Sequence, residues 1–396
     1  NIVKFYTSVL PYRGRLLVRG VDHDGSHKKT RINYKPSLFV PANKETKYKT
    51  LDGQNVGKVT FESIPESKKW IEEYKGVSNF EYYGNTRHQY SYIADKFPKK
   101  VDWDISKLRI LTIDIECESE NGFPDPEIAS EPLICITAKD HAKKRIVVFG
   151  MGNFVNDRED VKYIKCSTER DLVIKFTKFW ESYNPDIITG WNVKFFDIPY
   201  LMNRFKHLMG EEYLSKFSPW GIVTEGSALA LGYNRTQKYW DIMGVSTLDY
   251  LDLYRKHTFV RRESYKLDYI GEVELGENKL NNPYDTFKDF YQNDYQLFVE
   301  YNIQDVELVD KLEDKMKLIA LHLTMAYEAK VNYHDVFGQV RVWDCIIFNH
   351  LKEKNIVVPA VVESKTSDGY EGAYVKDPVV GFHDWICSFD LNSLYP

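Results

Sequence analysis

The chain has 396 residues, 43% hydrophobic and 28% charged, which is the balance of a globular protein with room for two or three domains. Its net charge of −5 argues against a protein that binds nucleic acid through a general excess of positive charge. The five cysteines include no Cys-x-x-Cys pair, so we expect reduced thiols and no structural zinc. No apolar run approaches the roughly 20 residues that span a bilayer, and we expect no membrane segment.

The first 102 residues are predicted to form short strands and turns. Apolar runs at 6–10 and 16–18 are typical of two strands, and Asp-His-Asp-Gly at 22–25 is a turn signal. A proline-bounded segment at 35–41 is extended, and the apolar spacing at 68–74 predicts a helix that ends near Gly76. This part is therefore predicted to be a small α+β domain.

From about residue 103 to 317, buried-looking strands alternate with amphipathic helices, as they do in α/β folds. The predicted strands are 109–116, 134–137, 146–149 and 186–190. The predicted helices are 169–183, 198–208 and 291–312. Two more helices are predicted at 319–329 and 340–354, followed by strands at 369–375 and 385–390 that resemble the start of a further domain.

Two acidic residues lie on a strand that is otherwise apolar. Asp114 and Glu116 are separated by one residue in the predicted strand 109–116. Residues two apart in a strand point to the same face, so these carboxylates lie side by side while Ile113 and Ile115 face the core. Such a pair indicates a functional site. The alternative is an edge strand whose outer face is wetted by solvent.

Further acids follow at two later points of the α/β block. Asp197 lies in a loop two residues before Pro199, where it belongs to a site or caps the helix that the proline opens. Tyr301 and Asp305 are four residues apart in a predicted helix and project from one face. A single Tyr-x-x-x-Asp spacing is common by chance, so this pair gains meaning only together with the other acids.

As a set, the four carboxylates indicate hydrolysis of a phosphodiester bond with divalent cations. This reaction needs a hydroxide at neutral pH and positive charge close to the phosphate, and two cations about 3.5–4 Å apart supply both. Carboxylate oxygens suit Mg²⁺ or Mn²⁺. Acids brought together from a strand, a loop and a helix would repel one another without cations between them. We therefore predict two ions of Mg²⁺ or Mn²⁺ as cofactors.

The order of these motifs resembles that of a known family. Asp-Ile-Glu at 114–116, Asn-x-x-x-Phe-Asp at 192–197 and Tyr-x-x-x-Asp at 301–305 are similar to the three exonuclease motifs of proofreading B-family DNA polymerases. The last nine residues, 388–396, resemble the first palm motif of that family. Four other segments are similar to the T-even bacteriophage type of replicative polymerase: residues 34–39, 247–254, 264–270 and 343–349.

The resemblance implies an α/β fold: a ribonuclease-H-like 3′→5′ exonuclease domain, a discontinuous α+β N-terminal domain and the first strands of the palm. Residues 1–102 and 318–361 would form the N-terminal domain, 103–317 the exonuclease and 362–396 the start of the palm. Asp390 would be a metal ligand of the polymerase site, but no Asp-Thr-Asp palm motif follows it. We therefore expect a fragment of a DNA-directed DNA polymerase that retains the exonuclease only.

The resemblance also implies a role for each residue of the exonuclease motifs. Asp114 would bridge both metal ions, Glu116 and Asp305 would complete one site, and Asp197 would hold the second ion, partly through water. Tyr301 would orient the attacking water and the scissile phosphate. The substrate would be the 3′ end of single-stranded or frayed DNA, and terminal mispairs fray most easily.

Other positions of the family correspond to residues around this site. Asn192 and Phe196 would line the path of the terminal nucleotides. Phe123 would stack near the primer end, with a structural loop anchor as an equal alternative. Lys279 would lie near the scissile phosphate. Residues 233–243 would form a hairpin, turning at 234–236, that helps to separate primer from template.

The implied partners are single-stranded DNA and primer–template DNA. We expect a monomer in the cytoplasm of an infected bacterial cell. Contacts with a sliding clamp and other replisome proteins would use a C-terminal part that the chain lacks. Two alternatives stay open: an exonuclease subunit that stands alone or comes from a split gene, and an autorepressor whose N-terminal domain binds messenger RNA.

Overall fold

In the computed structural model, the described residues are 3–119, 122–229, 236–277, 280, 282–360, 374 and 376–389. Residues 1–360 form one unit and residues 361–396 another. The described part of the first unit contains thirteen strands and ten α-helices. The strands are β1 (Phe5–Tyr12), β2 (Arg15–Val21), β3 (His27–Ile32), β4 (Ser37–Pro41), β5 (Val56–Thr60), β6 (Ile110–Cys117), β7 (Leu133–Asp140), β8 (Ile146–Gly150), β9 (Val161–Lys165), β10 (Ile187–Thr189), β11 (Val223–Leu229), β12 (Thr236–Ile242) and β13 (Ser246–Thr247).

The helices are α1 (Ile64–Tyr74), α2 (His88–Lys96), α3 (Glu169–Tyr183), α4 (Asp197–Met209), α5 (Tyr250–His257), α6 (Leu267–Leu275), α7 (Phe287–Asn293), α8 (Tyr295–Met316), α9 (Leu318–Ala329) and α10 (Gln339–Glu353). Most predicted elements are present within a few residues of their expected ends. One helix prediction was wrong: the single helix predicted over 291–312 is two helices, α7 and α8. The carboxylate of Asp294 accepts a hydrogen bond from the backbone N–H of Leu297 and so starts α8 afresh.

A six-stranded sheet of order β13-β10-β6-β7-β8-β9 forms the centre of the first unit. β6 is parallel to β10 on one side and antiparallel to β7 on the other. It is therefore an interior strand, and the edge-strand interpretation of its acidic residues is wrong. The α/β class predicted from the sequence is confirmed.

Helices cover both faces of this sheet. On one face, Ile113 and Ile115 belong to a buried cluster with side chains of α3 and α4, such as Phe176 and Leu201. On the other face, α8 packs across β6 and β7. Because neighbouring residues of a strand point to opposite faces, Asp114 and Glu116 point toward α8.

The N-terminal strands pack against the helices that follow α8. The hydroxyl of Tyr6 on β1 donates to the carbonyl of Val331 at 2.7 Å, and that of Tyr327 on α9 donates to the carbonyl of Tyr6 at 2.8 Å. The backbone N–H of Val9 donates to Asn332 at 2.8 Å. The chain thus returns to its first sheet, as a discontinuous N-terminal domain requires. The boundaries predicted for that domain stay predictions.

A long hairpin projects after α4. Its arms, β11 and β12, pair from Val223↔Ile242 to Leu229↔Thr236. A hairpin was predicted for residues 233–243, but the paired region is longer and begins earlier. The predicted turn at 234–236 lies outside the described residues except for Thr236, which already belongs to β12.

Of the second unit, residues 374 and 376–389 are described, and none of them forms a strand. The strand predicted at 385–390 is therefore wrong over 385–389, which are exposed. A strand is stabilised by hydrogen bonds to a neighbour, and the described residues of this unit supply no neighbour. Most of the strand predicted at 369–375, and Asp390, lie outside the described residues. No described helix is long and apolar enough to cross a membrane.

Candidate active site

Three predicted carboxylates meet above β6. One carboxylate oxygen each of Asp114, Glu116 and Asp305 lies within 4.8 Å of the other two. Asp114 and Glu116 are half-buried, and Asp305 is 5% exposed. β6 supplies two of the acids on one face, and α8 brings the third because it crosses the sheet at this point. Three hard oxygen donors so close together form a group that can hold a metal ion.

Asp197 lies in the same cleft but outside this group of three. It is the first residue of α4, and its Oδ1 accepts a hydrogen bond of 3.1 Å from the backbone N–H of Ile115. The N-cap position belongs to Phe196 and the side chain of Asp197 does not cap the helix, so the capping interpretation is wrong. Burial, aided by the charge of Asp249, raises the pKa of Asp197 to about 8. A nearby cation would favour its charged form instead.

A cleft of about 460 Å³ contains all four acids. Tyr301 lines it, one helical turn before Asp305, and its ring makes edge contacts with Phe290 at 5.9 Å and Phe287 at 6.5 Å. The remaining predicted residues in its lining are Phe123, Asn192 and Phe196. The fold therefore brings together residues that are far apart in the chain.

An aromatic pair separates this cleft from a second one of about 490 Å³. The rings of Phe123 and Phe196 lie 5.0 Å apart between centroids, and both line both clefts. Phe123 is 84% exposed, which is unusual for a side chain that only anchors a loop. Gln237 and Lys238 of β12 also line the second cleft. The two clefts therefore share the ring pair, and the acids line one of them while β12 lines the other.

The loop that carries Asn192 is stabilised by hydrogen bonds to a buried acid. Asp249 accepts hydrogen bonds from the backbone N–H groups of Asn192 at 3.0 Å, Lys194 at 2.9 Å and Leu251 at 2.9 Å. Burial raises the pKa of Asp249 to about 7. At the start of the loop, a Cβ on Gly190 would lie 2.5 Å from the carbonyl oxygen of Ile113, so only glycine lets the loop leave β10 so close to β6.

Sequence reasoning missed two polar residues next to the acids. Asn302 is fully buried, and its Nδ2 donates to Oδ2 of Asp114 at 2.5 Å. The hydroxyl of Thr137, also fully buried, donates to Oδ1 of Asn302. The available signal was that Asn302 takes a core position on α8, four residues after Phe298, where an apolar side chain is expected.

The eight predicted residues that fall within the described part of the chain all line one cleft: Asp114, Glu116, Phe123, Asn192, Phe196, Asp197, Tyr301 and Asp305. Lys279 and Asp390 lie outside the described residues. The roles assigned to all ten stay predictions.

Comparison with known families gives two matches. The family model described as "DNA polymerase family B, exonuclease domain" matches residues 67–270, about half of the chain. The model described as "DNA polymerase family B" matches residues 336–396. The mixed α/β sheet and its acidic cluster agree with the ribonuclease-H-like architecture expected of such an exonuclease domain.

Similar curated proteins include two phage polymerases. The chain is 33% identical to the DNA-directed DNA polymerase of Escherichia phage RB69 and 32% identical to that of Enterobacteria phage T4. Each alignment covers 99% of this chain and 46% of the relative, so the chain spans about half the length of these relatives. The DNA polymerase delta catalytic subunit of Caenorhabditis elegans is 30% identical, over 74% of this chain and 28% of its own length.

Proposed function

The chain belongs to DNA polymerase family B and carries the exonuclease domain of that family, and we propose that it removes nucleotides from the 3′ end of DNA. The observation that carries this proposal is the cluster of Asp114, Glu116 and Asp305, whose oxygens lie within 4.8 Å of one another in a cleft that also contains Asp197 and Tyr301. Hydrolysis of the terminal phosphodiester would release deoxynucleoside monophosphates.

The donor set fits two divalent cations, Mg²⁺ or Mn²⁺. All candidate ligands are carboxylate oxygens, which these ions prefer, and the group of possible ligands found among the described residues contains neither histidine nor cysteine. Asp114, Glu116 and Asp305 would hold one ion; Asp114 and Asp197 would hold the other. When bound, two such ions lower the pKa of a water molecule and stabilise charge on the leaving oxygen.

The other residues of the cleft would position the substrate. Tyr301 lies one helical turn from Asp305, where its hydroxyl can orient the attacking water and the scissile phosphate. The ring pair of Phe123 and Phe196 provides flat surfaces on which unpaired bases can stack, a mode that tolerates any base. Asn192 lines both clefts together with this ring pair, and it would lie beside the path of the terminal nucleotides.

Selectivity for errors would come from fraying. A terminal mispair costs less to unpair than a matched pair, so its 3′ end reaches the cleft more often. Because residues of β12 line the second cleft, the hairpin would help to separate the primer from the template there. We propose, on the family resemblance alone, that Lys279 lies near the scissile phosphate.

We further propose that the protein acts in replication of phage DNA in the cytoplasm of an infected bacterium, since its phage relatives are described as DNA-directed DNA polymerases. Its substrates would be single-stranded and primer–template DNA. Asp390 would belong to a polymerase site, which the residues of this chain do not complete. The polymerase relatives favour this proposal over a stand-alone nuclease or an RNA-binding repressor.

The double variant Asp114→Ala, Glu116→Ala tests the site. We expect it to lose degradation of a 5′-labelled single-stranded oligonucleotide in Mg²⁺, while it folds as well as the wild type. Its metal-free form should melt close to the wild type, because the removal of two repelling charges is offset by the loss of the hydrogen bond from Asn302 to Asp114. Glu181→Ala, an exposed acid on α3, is the matched control and should retain full activity. Wild-type degradation rates in the double variant would contradict the assignment.

A second experiment measures the cations without enzyme activity. An ion that binds only the folded protein raises the melting temperature by mass action, and about 100 times its dissociation constant adds about 2.7 kcal/mol. Mg²⁺ or Mn²⁺ should therefore raise the melting temperature of the wild type but not that of the double variant. A wild-type melting temperature that does not change when Mg²⁺, Mn²⁺ or EDTA is added would exclude a metal site here.

A further inference from the structure

We propose that Asn302 is a positioning residue of the exonuclease site, and that the hydrogen-bonded relay Thr137–Asn302–Asp114 sets the orientation of the Asp114 carboxylate. The inference rests on the proposed function for what Asp114 does. It concerns two residues to which the three acidic motifs assign no role: Thr137 lies outside them, and Asn302 takes an unspecified position of Tyr-x-x-x-Asp. Neither lines the two clefts described above.

The direction of each hydrogen bond in the relay follows from chemistry. A carboxylate of Asp114 only accepts, so the amide group that faces it at 2.5 Å is Nδ2 of Asn302. The amide oxygen therefore faces Thr137, whose hydroxyl must donate to it. One side-chain orientation of Asn302 satisfies both neighbours, and a flipped amide would place an acceptor against an acceptor at Asp114.

Three elements of the fold are joined by the relay. Thr137 lies on β7 directly opposite Asp114 in the antiparallel register with β6. Asn302 lies on α8, three residues before Asp305, so the two side chains share one face of the helix. The relay therefore links α8 to the sheet by hydrogen bonds, within one helical turn of Asp305. It would fix both the angle of the Asp114 carboxylate and the separation of the two acids that face a cation.

Burial makes the arrangement specific. Thr137 and Asn302 are both fully buried, where a polar group without a partner is costly. The amide binds Oδ2 of Asp114 and so restricts the rotation of the carboxylate. Side chains that orient metal ligands in this way commonly change metal affinity or activity by about 10- to 100-fold when they are replaced.

Asn302→Leu is the direct test, since leucine has a similar size and no hydrogen-bonding group. We expect the dissociation constant for Mn²⁺, measured by electron paramagnetic resonance without DNA, to rise about 10- to 100-fold. The kcat for a single-stranded oligonucleotide should fall, and its KM should change little, because bases and backbone bind elsewhere. The Mg²⁺ concentration for half-maximal activity should rise in parallel.

Two conservative substitutions of Thr137 test the other end of the relay. Thr137→Val is nearly isosteric but leaves the amide oxygen of Asn302 without its donor, and it should shift Mn²⁺ affinity in the same direction by a smaller factor. Thr137→Ser keeps the hydroxyl and should remain close to the wild type. This pair tests the proposal even where Asn302→Leu fails to fold.

A structural control separates positioning from simple loss of packing. Val299→Ala removes a fully buried side chain from the same helix, three residues before Asn302, and should lower the melting temperature without changing Mn²⁺ affinity. The proposal is overturned if Asn302→Leu and Thr137→Val bind Mn²⁺ as tightly as the wild type does. It is also overturned if Val299→Ala lowers Mn²⁺ affinity as much as those two variants do. A wild type that neither binds Mn²⁺ nor degrades DNA would instead contradict the proposed function.

Discussion

At the scale of single residues, stereochemistry explains why the acids of β6 form a site. Asp114 and Glu116 point toward α8 and Ile113 and Ile115 toward α3 and α4, because successive side chains of a strand alternate. The same rule applies to any strand of the sheet, so this part of the site follows from two-residue spacing. Because β6 is an interior strand, its carboxylates are also partly removed from water. Carboxylates so close together then repel strongly unless cations neutralise them.

Tyr301 can be tested by removal of its hydroxyl alone. Tyr301→Phe keeps the ring and its edge contacts with Phe287 and Phe290 of α7. Since one positioned hydrogen-bond donor at a reacting centre is commonly worth about 100-fold in rate, we expect kcat to fall by about that factor with KM little changed. Steady-state cleavage of a single-stranded oligonucleotide measures both. Tyr213→Phe, outside the cleft, is the control, and an equal effect there would remove the assigned role.

A histidine pair, of which His322 is fully buried and His257 half-buried, makes the stability of the first unit depend on pH. Nε2 of His257 lies 2.9 Å from Nδ1 of His322, and Nε2 of His322 lies 2.8 Å from the carbonyl oxygen of Tyr333. A carbonyl only accepts, so Nε2 of His322 carries a proton, and Nδ1 of His322 accepts a hydrogen bond from the Nε2–H of His257. Burial lowers the pKa of His257 to about 4 and that of His322 to about 3.

The sign of the pH effect follows from these values. Between pH of about 6.5 and 4, the unfolded chain binds protons at both histidines and the folded chain does not. The contribution of the pair is therefore complete above pH 6.5 and declines as the pH falls through this window. His257→Gln keeps a donor but does not titrate, so urea unfolding at pH 7.5 and pH 5 should show a smaller loss of stability in the variant. Equal losses in both proteins would contradict this prediction.

At the scale of elements, the loop between β10 and α4 depends on a carboxylate supplied by the next helix. Asp249 caps α5 through Leu251 and binds two backbone N–H groups of the loop. Asn192 has a φ of 63°, a left-handed conformation that asparagine tolerates better than most residues. The loop therefore has a defined shape before any DNA binds, and it presents Asn192, Phe196 and Asp197 together.

Replacing Asp249 should disturb this loop more than its distance from the acids of β6 suggests. Asp249→Ala leaves three backbone donors without their acceptor, and we expect a loss of about 2–4 kcal/mol in unfolding free energy. KM for single-stranded DNA should also rise, because Asn192 loses its support. Asp249→Asn keeps one acceptor oxygen and should be intermediate. Chemical denaturation and initial-rate kinetics measure these effects. An Asp249→Ala protein as stable as the wild type would refute the stabilising role of these hydrogen bonds.

At the scale of the whole first unit, one buried ion pair joins the N-terminal sheet to the central sheet. Arg19 on β2 lies 3.3 Å from Asp186, which precedes β10, and the two side chains are 3% and 0% exposed. The guanidinium also donates to the carbonyls of Pro185 at 3.0 Å and of Gly244. The carboxylate of Asp186 accepts from the backbone N–H of Arg109 as well, at 2.9 Å.

Arg19→Met should therefore weaken the joint between the two sheets. It leaves the buried Asp186 carboxylate without the guanidinium, although Nε2 of His27 still lies 2.8 Å from it. Breaking a buried pair from one side commonly costs about 3–5 kcal/mol, so we expect a loss at or below that range. Lys4→Met breaks an ion pair with Asp102, which is 83% exposed, and should cost less than about 1 kcal/mol. Urea unfolding of both variants gives the comparison, and similar small losses would show that the joint is carried by apolar packing instead.

The sequence by itself determined the elements and the identity of the acids. Strand alternation placed Asp114 beside Glu116, helical spacing placed Tyr301 with Asp305, and the motif order pointed to the family that the comparisons support. These are local properties, since each depends on residues within one turn or one strand. The same local rules were wrong where a single polar side chain changed the outcome, as Asp294 does between α7 and α8.

Only the tertiary structure decided how the acids are supported. Asn302 and Asp114 are 188 positions apart, and Asp197 meets the backbone of Ile115 across 82 positions. No periodicity connects residues at such separations, because the contact depends on how α8 and α4 pack against the sheet. Burial is likewise a property of the packed molecule, and it raises the pKa of Asp197 and allows one fully buried amide to orient a carboxylate.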